Sequence, residues 1–320
     1  MTGTSILNST LSQCRFFIFH CITAIMFNCV FTISGNAQET KPDKIKSKSG
    51  IFAAPSQFDH RLNGAYFKWY LHDTKELVIS PRRWKKKDWL IFGGTAASAA
   101  LLVFTVDEPV QNFFEEHQDS DFINGMNKIL NPFQAMTVPI YFGLIPIVYG
   151  LIAKSDRAKK VGLEALEAQL VTSVVHYPIN WIASRTRPRD GGEYNDFNWI
   201  WTKDPSEWTD VDSSFPSGHS VLVFSSAAII AAEYHEKKWV PPAIYAAASL
   251  IGVQRVAQDA HWVSDVFYGA ILGHFMTQTL VREHQKANES LKTGEPVKSS
   301  LKVYPFQYVG ARGFRIVYQF

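Results

Sequence analysis

Six apolar stretches divide the chain, and their spacing predicts helices near 89–105, 134–153, 161–184, 219–234, 240–257 and 262–280. Their lengths of roughly 16 to 24 residues bracket the 20 or so that a bilayer core requires. Runs of small residues, "GGTAASAA" (93–100) and "SSAAIIAA" (225–232), allow helices to approach closely. The third stretch is mixed, carrying Glu164, Glu167 and His176, and the fourth ends in "AAEYHEKK". The pattern therefore predicts an all-α core bundle of six helices, expected to be embedded in a membrane.

The two ends read differently. "CRFFIFHCITAIMFNCVFTISGNAQET" has one Arg, an apolar run and small residues up to Ala37. That is the layout of a secretory signal cut near Ala37–Gln38, or of an uncleaved anchor. The three cysteines, Cys14, Cys21 and Cys29, all lie there, so cleavage would leave a chain with no thiol and no disulfide. Residues 38–88 begin as a Lys-rich linker and continue as an aromatic, charged segment ending in "RRWKKKD", suited to a membrane interface or a surface helix. The tail "LKVYPFQYVGARGFRIVYQF" predicts a short β-hairpin about "GARG". The expected organisation is a signal or anchor over 1–37, a linker and interfacial segment over 38–88, a helical domain over 89–284, and a linker with hairpin over 285–320.

Composition changes the picture little. The net charge of +3 gives no case for a nucleic-acid partner. Nine Trp and 23 Phe suit a membrane or an aromatic core, although a mean hydropathy of −0.07 is low for a chain lying mostly in lipid. If every apolar stretch spans, the basic segments 82–87, 154–160 and 235–238 share one side and the loops 106–121 and 185–218 the other. The positive-inside rule then puts the basic side in the cytoplasm and the other outside, at the periplasmic face of an inner membrane. A cleaved signal instead leaves residues 82–87 outside. An additional crossing, an uncleaved amino terminus, and a helical domain in the periplasm or on a membrane face all stay open. Oligomeric state has no signature in the sequence.

Three polar clusters interrupt the apolar runs: "NWIASRTRPRDGG" (180–192), "SSFPSGHS" (213–220) and "QRVAQDAHWVSDV" (254–266). Charge among apolar residues is costly unless it is paired or used. In the third cluster His261 and Asp265 are four apart and share a helix face, where a carboxylate can fix the imidazole tautomer. Arg255 stands about 240° round a continuous helix from His261, so a break is predicted within 257–260. In the second cluster Pro216 bars helix continuation before it. Ser217, Gly218 and His219 then head a helix, where main-chain N–H groups attract an anion. The arginines of the first cluster offer planar donor forks that match phosphate.

The ordered pattern R-P, P-S-G-H and R-x5-H-x3-D resembles the type 2 phosphatidic acid phosphatase (PAP2) family, shared with vanadium haloperoxidases and bacterial class A acid phosphatases. It covers residues 180–265 and the helices to about 280. The resemblance implies that His261 is the nucleophile, Asp265 orients it and His219 protonates the leaving oxygen. It also implies that Arg187, Arg255, Ser217 and Gly218 hold the phosphoryl oxygens, with no metal or cofactor. The sequence departs from the family at Asn180, where a Lys is usual; Asn180 and Arg185 are expected to donate to the phosphate, and Arg189 is also able to compensate. It departs again at Gln254 and Asp259. The missing Lys counts against haloperoxidase chemistry. The expected activity is hydrolysis of a phosphomonoester or diphosphate on a lipid at the outer membrane face. An exported acid phosphatase for soluble esters and a non-catalytic relative that binds lipid phosphate remain as alternatives.

Overall fold

The computed structural model of the chain describes residues 64–133, 135–208, 213–293, 300–308 and 311–319. The expected signal segment, and the linker as far as residue 63, lie outside the described residues. The helical unit contains α1 (Gly64–Ile79), α2 (Lys86–Thr105), α3 (Asp107–Glu116), α4 (Asp121–Leu130), α5 (Ile145–Ile152), α6 (Asp156–Ala183), α7 (Gly218–Glu233), α8 (Val240–Ala257) and α9 (Val263–Thr293). A separate unit takes in most of strands β1 (Ser300–Tyr308) and β2 (Ala311–Gln319), which pair with each other.

Local sequence explains where the site-bearing helices begin and end. Ser155 and Ser217 cap α6 and α7, each side chain accepting the N–H three residues on. Helix α6 stops at Ser184, which takes a left-handed φ of 43°. Pro241 and Pro242 sit in the first turn of α8, where no N–H is needed. The break expected within 257–260 is present: α8 ends at Ala257 and α9 begins at Val263, with Asp259 at φ 55° in the turn between.

Helix α7 lies at the centre, packed against α6, α8 and α9. It buries Val221, Val223, Phe224, Ala227, Ala228 and Ile229. Each large apolar side chain buried this way contributes about 1.5–3 kcal/mol. The crossing with α9 is close because Gly269 and Gly273 face it. A Cβ at Gly269 would come within 2.5 Å of the Ser217 carbonyl oxygen, and one at Gly273 within 2.4 Å of that of Val221.

Sequence expected an acidic loop over 106–121, yet most of it is helix α3. Asp107 and Glu108 occupy its first turn, where they complement the helix dipole, and Phe114 is buried on its inner face. Among the described residues one helix, α2, is long and apolar enough to cross a membrane. Helix α7 has 16 residues and Ile140–Ile152 has 13, short of the 20 or so required.

The bundle is polar in an ordered way. Helix α6 is one continuous rod of about 42 Å by its rise per residue. Its basic start meets the end of α7 through an ion pair from Arg157 to Glu236 at 2.7 Å. Its other end delivers residues 180–187 to the start of α7 and of α9. Helix α2 follows the same rule, starting at the basic segment 82–87 and ending beside Asp107, the partner of Arg185.

Candidate active site

The three polar clusters converge at the end of the bundle where α6 stops and α7 and α9 start. His261 lies in the turn before α9 and is 2% exposed. Its Nδ1 is 2.9 Å from the Ser214 carbonyl oxygen, to which it must donate. That bond fixes the tautomer and leaves a lone pair on Nε2. Arg187 Nη1 stands 3.4 Å from this Nε2 and also donates to the Ala260 carbonyl at 2.7 Å. The His219 ring is 5.8 Å from that of His261, centre to centre, at 70°. Arg255 Nη1 is 3.5 Å from His219 Nε2.

Asp265 was expected to hold the His261 tautomer directly. Its Oδ2 is 3.8 Å from Nδ1, too far for a hydrogen bond, so the Ser214 carbonyl does that work. The carboxylate instead accepts the Trp262 N–H at 2.8 Å and an Arg185 N–H at 2.5 Å. Its charge still faces the imidazole from behind.

Two expected phosphate donors are committed elsewhere. Arg185 has no exposed surface. It bridges Asp265 and Asp107, the latter at 2.8 Å, and donates to the Tyr194 carbonyl and to Ser264 Oγ. Asp107 in turn accepts the Ser264 N–H at 2.8 Å. Asn180 donates both amide hydrogens to main-chain carbonyls, of Ser213 at 3.0 Å and Phe215 at 3.1 Å. It braces the 213–217 segment from below. Asp259 accepts hydrogen bonds from Gln111 and Gln118 at 2.5 and 2.6 Å.

Ser217, Gly218 and His219 stand at the start of α7. Gly218 and His219 supply the first N–H groups of α7, which have no intrahelical acceptor. Ser217 is fully buried: its hydroxyl oxygen accepts from Ser220, and its N–H donates to the Asp265 carbonyl at 3.0 Å. Gly218 lies against His176, whose Cε1 would meet a Cβ there at 3.1 Å. His176 is held by the Pro216 carbonyl at 3.0 Å and backs the α7 amino terminus.

The electrostatics follow from burial. Desolvation pushes His261 below its ordinary pKa against the pull of Asp265, which favours the neutral imidazole. Burial, then the charges of His261, Arg255, Arg187 and Arg189, push His219 down to about 3. Burial lowers Arg255 to about 10, which leaves it charged. Burial alone would raise Asp265, but Arg185 and its donors hold it below the usual carboxylate value. Asp107, sharing the same guanidinium, is raised by burial. Sequence reasoning missed Asp107, Ser214 and Ser264. The first stands far from every motif, and the second acts through its backbone.

Fold and site together define a helical unit with a histidine- and arginine-rich centre at one end of its bundle. The chain matches the PAP2 superfamily over residues 162–289. It is similar to a lipid A 1-phosphatase of Porphyromonas gingivalis, 39% identical over 62 residues, which are 19% of this chain and 14% of that one. It is also similar to an undecaprenyl-diphosphatase of Sulfolobus acidocaldarius, 25% identical over 133 residues, 42% of this chain and 59% of that one. The matches thus span a small part of the first relative and somewhat over half of the second. No solved structure matches significantly.

Proposed function

We propose that the protein is a phosphatase of the PAP2 type acting on a lipid phosphate, a monoester or a diphosphate, through a phosphohistidine. The observation that carries this reading is the pairing of a neutral His261, its Nε2 lone pair turned toward Arg187, with His219 across a gap of 5.8 Å between ring centres. His261 Nε2 attacks phosphorus, and the bond from phosphorus to the lipid oxygen breaks. His219 gives its proton to that oxygen. Water then attacks the phosphohistidine, returns a proton to His219 and releases phosphate with His261 restored. A bound phosphate dianion offsets the arginine charges that lower His219, so substrate itself supplies the condition under which His219 holds a proton. Arg187, Arg255 and the α7 amino terminus neutralise the phosphoryl oxygens, the main requirement of phosphoryl transfer.

The names of the relatives and the exposed apolar faces of α2 and α5 support a lipid substrate. Leu90, Leu101 and Phe104 on α2 and Leu151 and Ile152 on α5 are each more than 60% exposed. The basic ends of α2 and α6 lie opposite the site, which by the positive-inside rule supports a site at the outer face. A cleft of about 310 Å³ with Gln118, Asp119, Asn127, Gln258 and Asp259 in its wall adjoins the turn that carries His261.

The test is phosphate release from a panel of lipid and soluble phosphates in detergent with EDTA, for wild type and His261→Ala. Lipid phosphates are expected to be hydrolysed in EDTA, with the variant slower by at least about 100-fold, the scale of one lost catalytic group. Equal rates in both proteins would refute the histidine mechanism. Preference for soluble esters would favour the exported acid phosphatase. Binding without turnover would favour a non-catalytic relative.

A further inference from the structure

A second polar cluster lies in the core, formed by residues that take no part in the site above. Asp73 comes from α1, Glu167 from α6 and His284 from α9, and they are 1%, 1% and 6% exposed. One ligand atom from each lies within 4.8 Å of the other two. His284 Nε2 is 2.5 Å from Asp73 Oδ2, and His72 Nδ1 is 3.2 Å from the other oxygen, Oδ1. Trp69 packs edgewise against both imidazoles, with ring centres 5.4 and 5.5 Å away. Leu77, Val171, Met276 and Leu280 belong to the apolar cluster these three helices share. Neither carboxylate oxygen of Glu167 meets an N–H or O–H donor, and the Asp73 carboxylate is its polar neighbour. A buried carboxylate without a donor is costly, and native proteins rarely leave one so.

We propose that Asp73, Glu167 and His284 bind a divalent transition-metal ion, which pins α1 to the bundle. One imidazole nitrogen with carboxylate oxygens is a donor set suited to Zn²⁺ or Mn²⁺. Two carboxylates balance the charge of a dication. Side-chain rotation draws the ligand atoms from their present separations to bonds of about 2.0–2.2 Å. The ion would give the oxygens of Glu167 a directly bonded partner. His72, bonded to the far oxygen of Asp73, is placed to hold that ligand in orientation, as outer-shell groups do. The site is closed to solvent and away from His261, so its role is structural and independent of the phosphatase reading.

The test uses the full chain in detergent, stripped with EDTA, dialysed, and titrated with ZnCl2 or MnCl2 by calorimetry. Bound metal is counted by elemental analysis after desalting, and melting is followed with and without the ion. The expected result is one ion per chain and a rise of several degrees in Tm. Glu167→Gln, which keeps the side-chain volume, is expected to weaken binding at least tenfold. The zinc-edge absorption spectrum of the wild type reads the ligand set without any variant and is expected to contain one imidazole with oxygen ligands. Failure to bind either ion stoichiometrically, sulfur or several imidazoles in the zinc shell, or unchanged affinity in a folded Glu167→Gln protein would each overturn the proposal. Phosphate release that survives EDTA while Tm falls would separate this site from the catalytic one.

Discussion

Arg185 holds together two carboxylates that cannot both be charged and buried without it. Removing the guanidinium leaves Asp107 and Asp265 facing each other in the core with no counter-charge. Arg185→Met is therefore expected to cost about 3–5 kcal/mol, the usual penalty for breaking a buried pair from one side. Denaturant unfolding of the purified protein measures it, and a loss below 1 kcal/mol would contradict the role. Three arginines in "SRTRPRD" look equivalent in sequence, and all three fit a phosphate. What separates them is that Arg185 meets Asp107, a residue 78 positions away, while Arg187 reaches the His261 imidazole. Such long-range pairing leaves no local mark. The same holds for Asn180: the sequence identifies an amide where a Lys is usual, but not that both its hydrogens serve main-chain carbonyls.

Helices with long apolar runs were readable because burial demands such runs. The six expected stretches correspond to α2, to α5 with the wide turn before it, and to α6, α7, α8 and α9. Helices α3 and α4 escaped because only one stripe of each is apolar, and their polar faces read as loop. His284 escaped for a related reason: a lone histidine late in a long helix has no local partner, and its contact with Asp73 spans 211 residues. The closeness of α7 and α9 yields a sharp prediction. Gly269→Ala would drive a methyl group into the Ser217 carbonyl, so the helices must part just where the site is built. The expected cost is about 1–3 kcal/mol, typical of overpacking, with a larger relative loss of turnover than of stability. Thermal melting and phosphate release, measured together, would check both.

At the scale of the whole molecule, the helical unit has a basic end, an end that carries the candidate site, and an apolar flank. Helix α2 dominates that flank: Leu90 is 66% exposed, Leu101 63% and Phe104 68%. Replacing these three by Gln removes apolar surface without touching the core. The triple variant is expected to keep its Tm and to float less with lipid vesicles than wild type. Equal flotation would locate membrane affinity elsewhere in the chain.

The amino terminus of α7 has a consequence of another kind. Part of the positive field that meets an incoming anion comes from peptide dipoles, anchored by the bond from the Ser217 N–H to the Asp265 carbonyl. Dipoles of this kind neither titrate nor change with the side chain that a codon specifies. The attraction they exert should outlast both an alkaline medium and the loss of any single arginine, fading only when the helix itself comes undone.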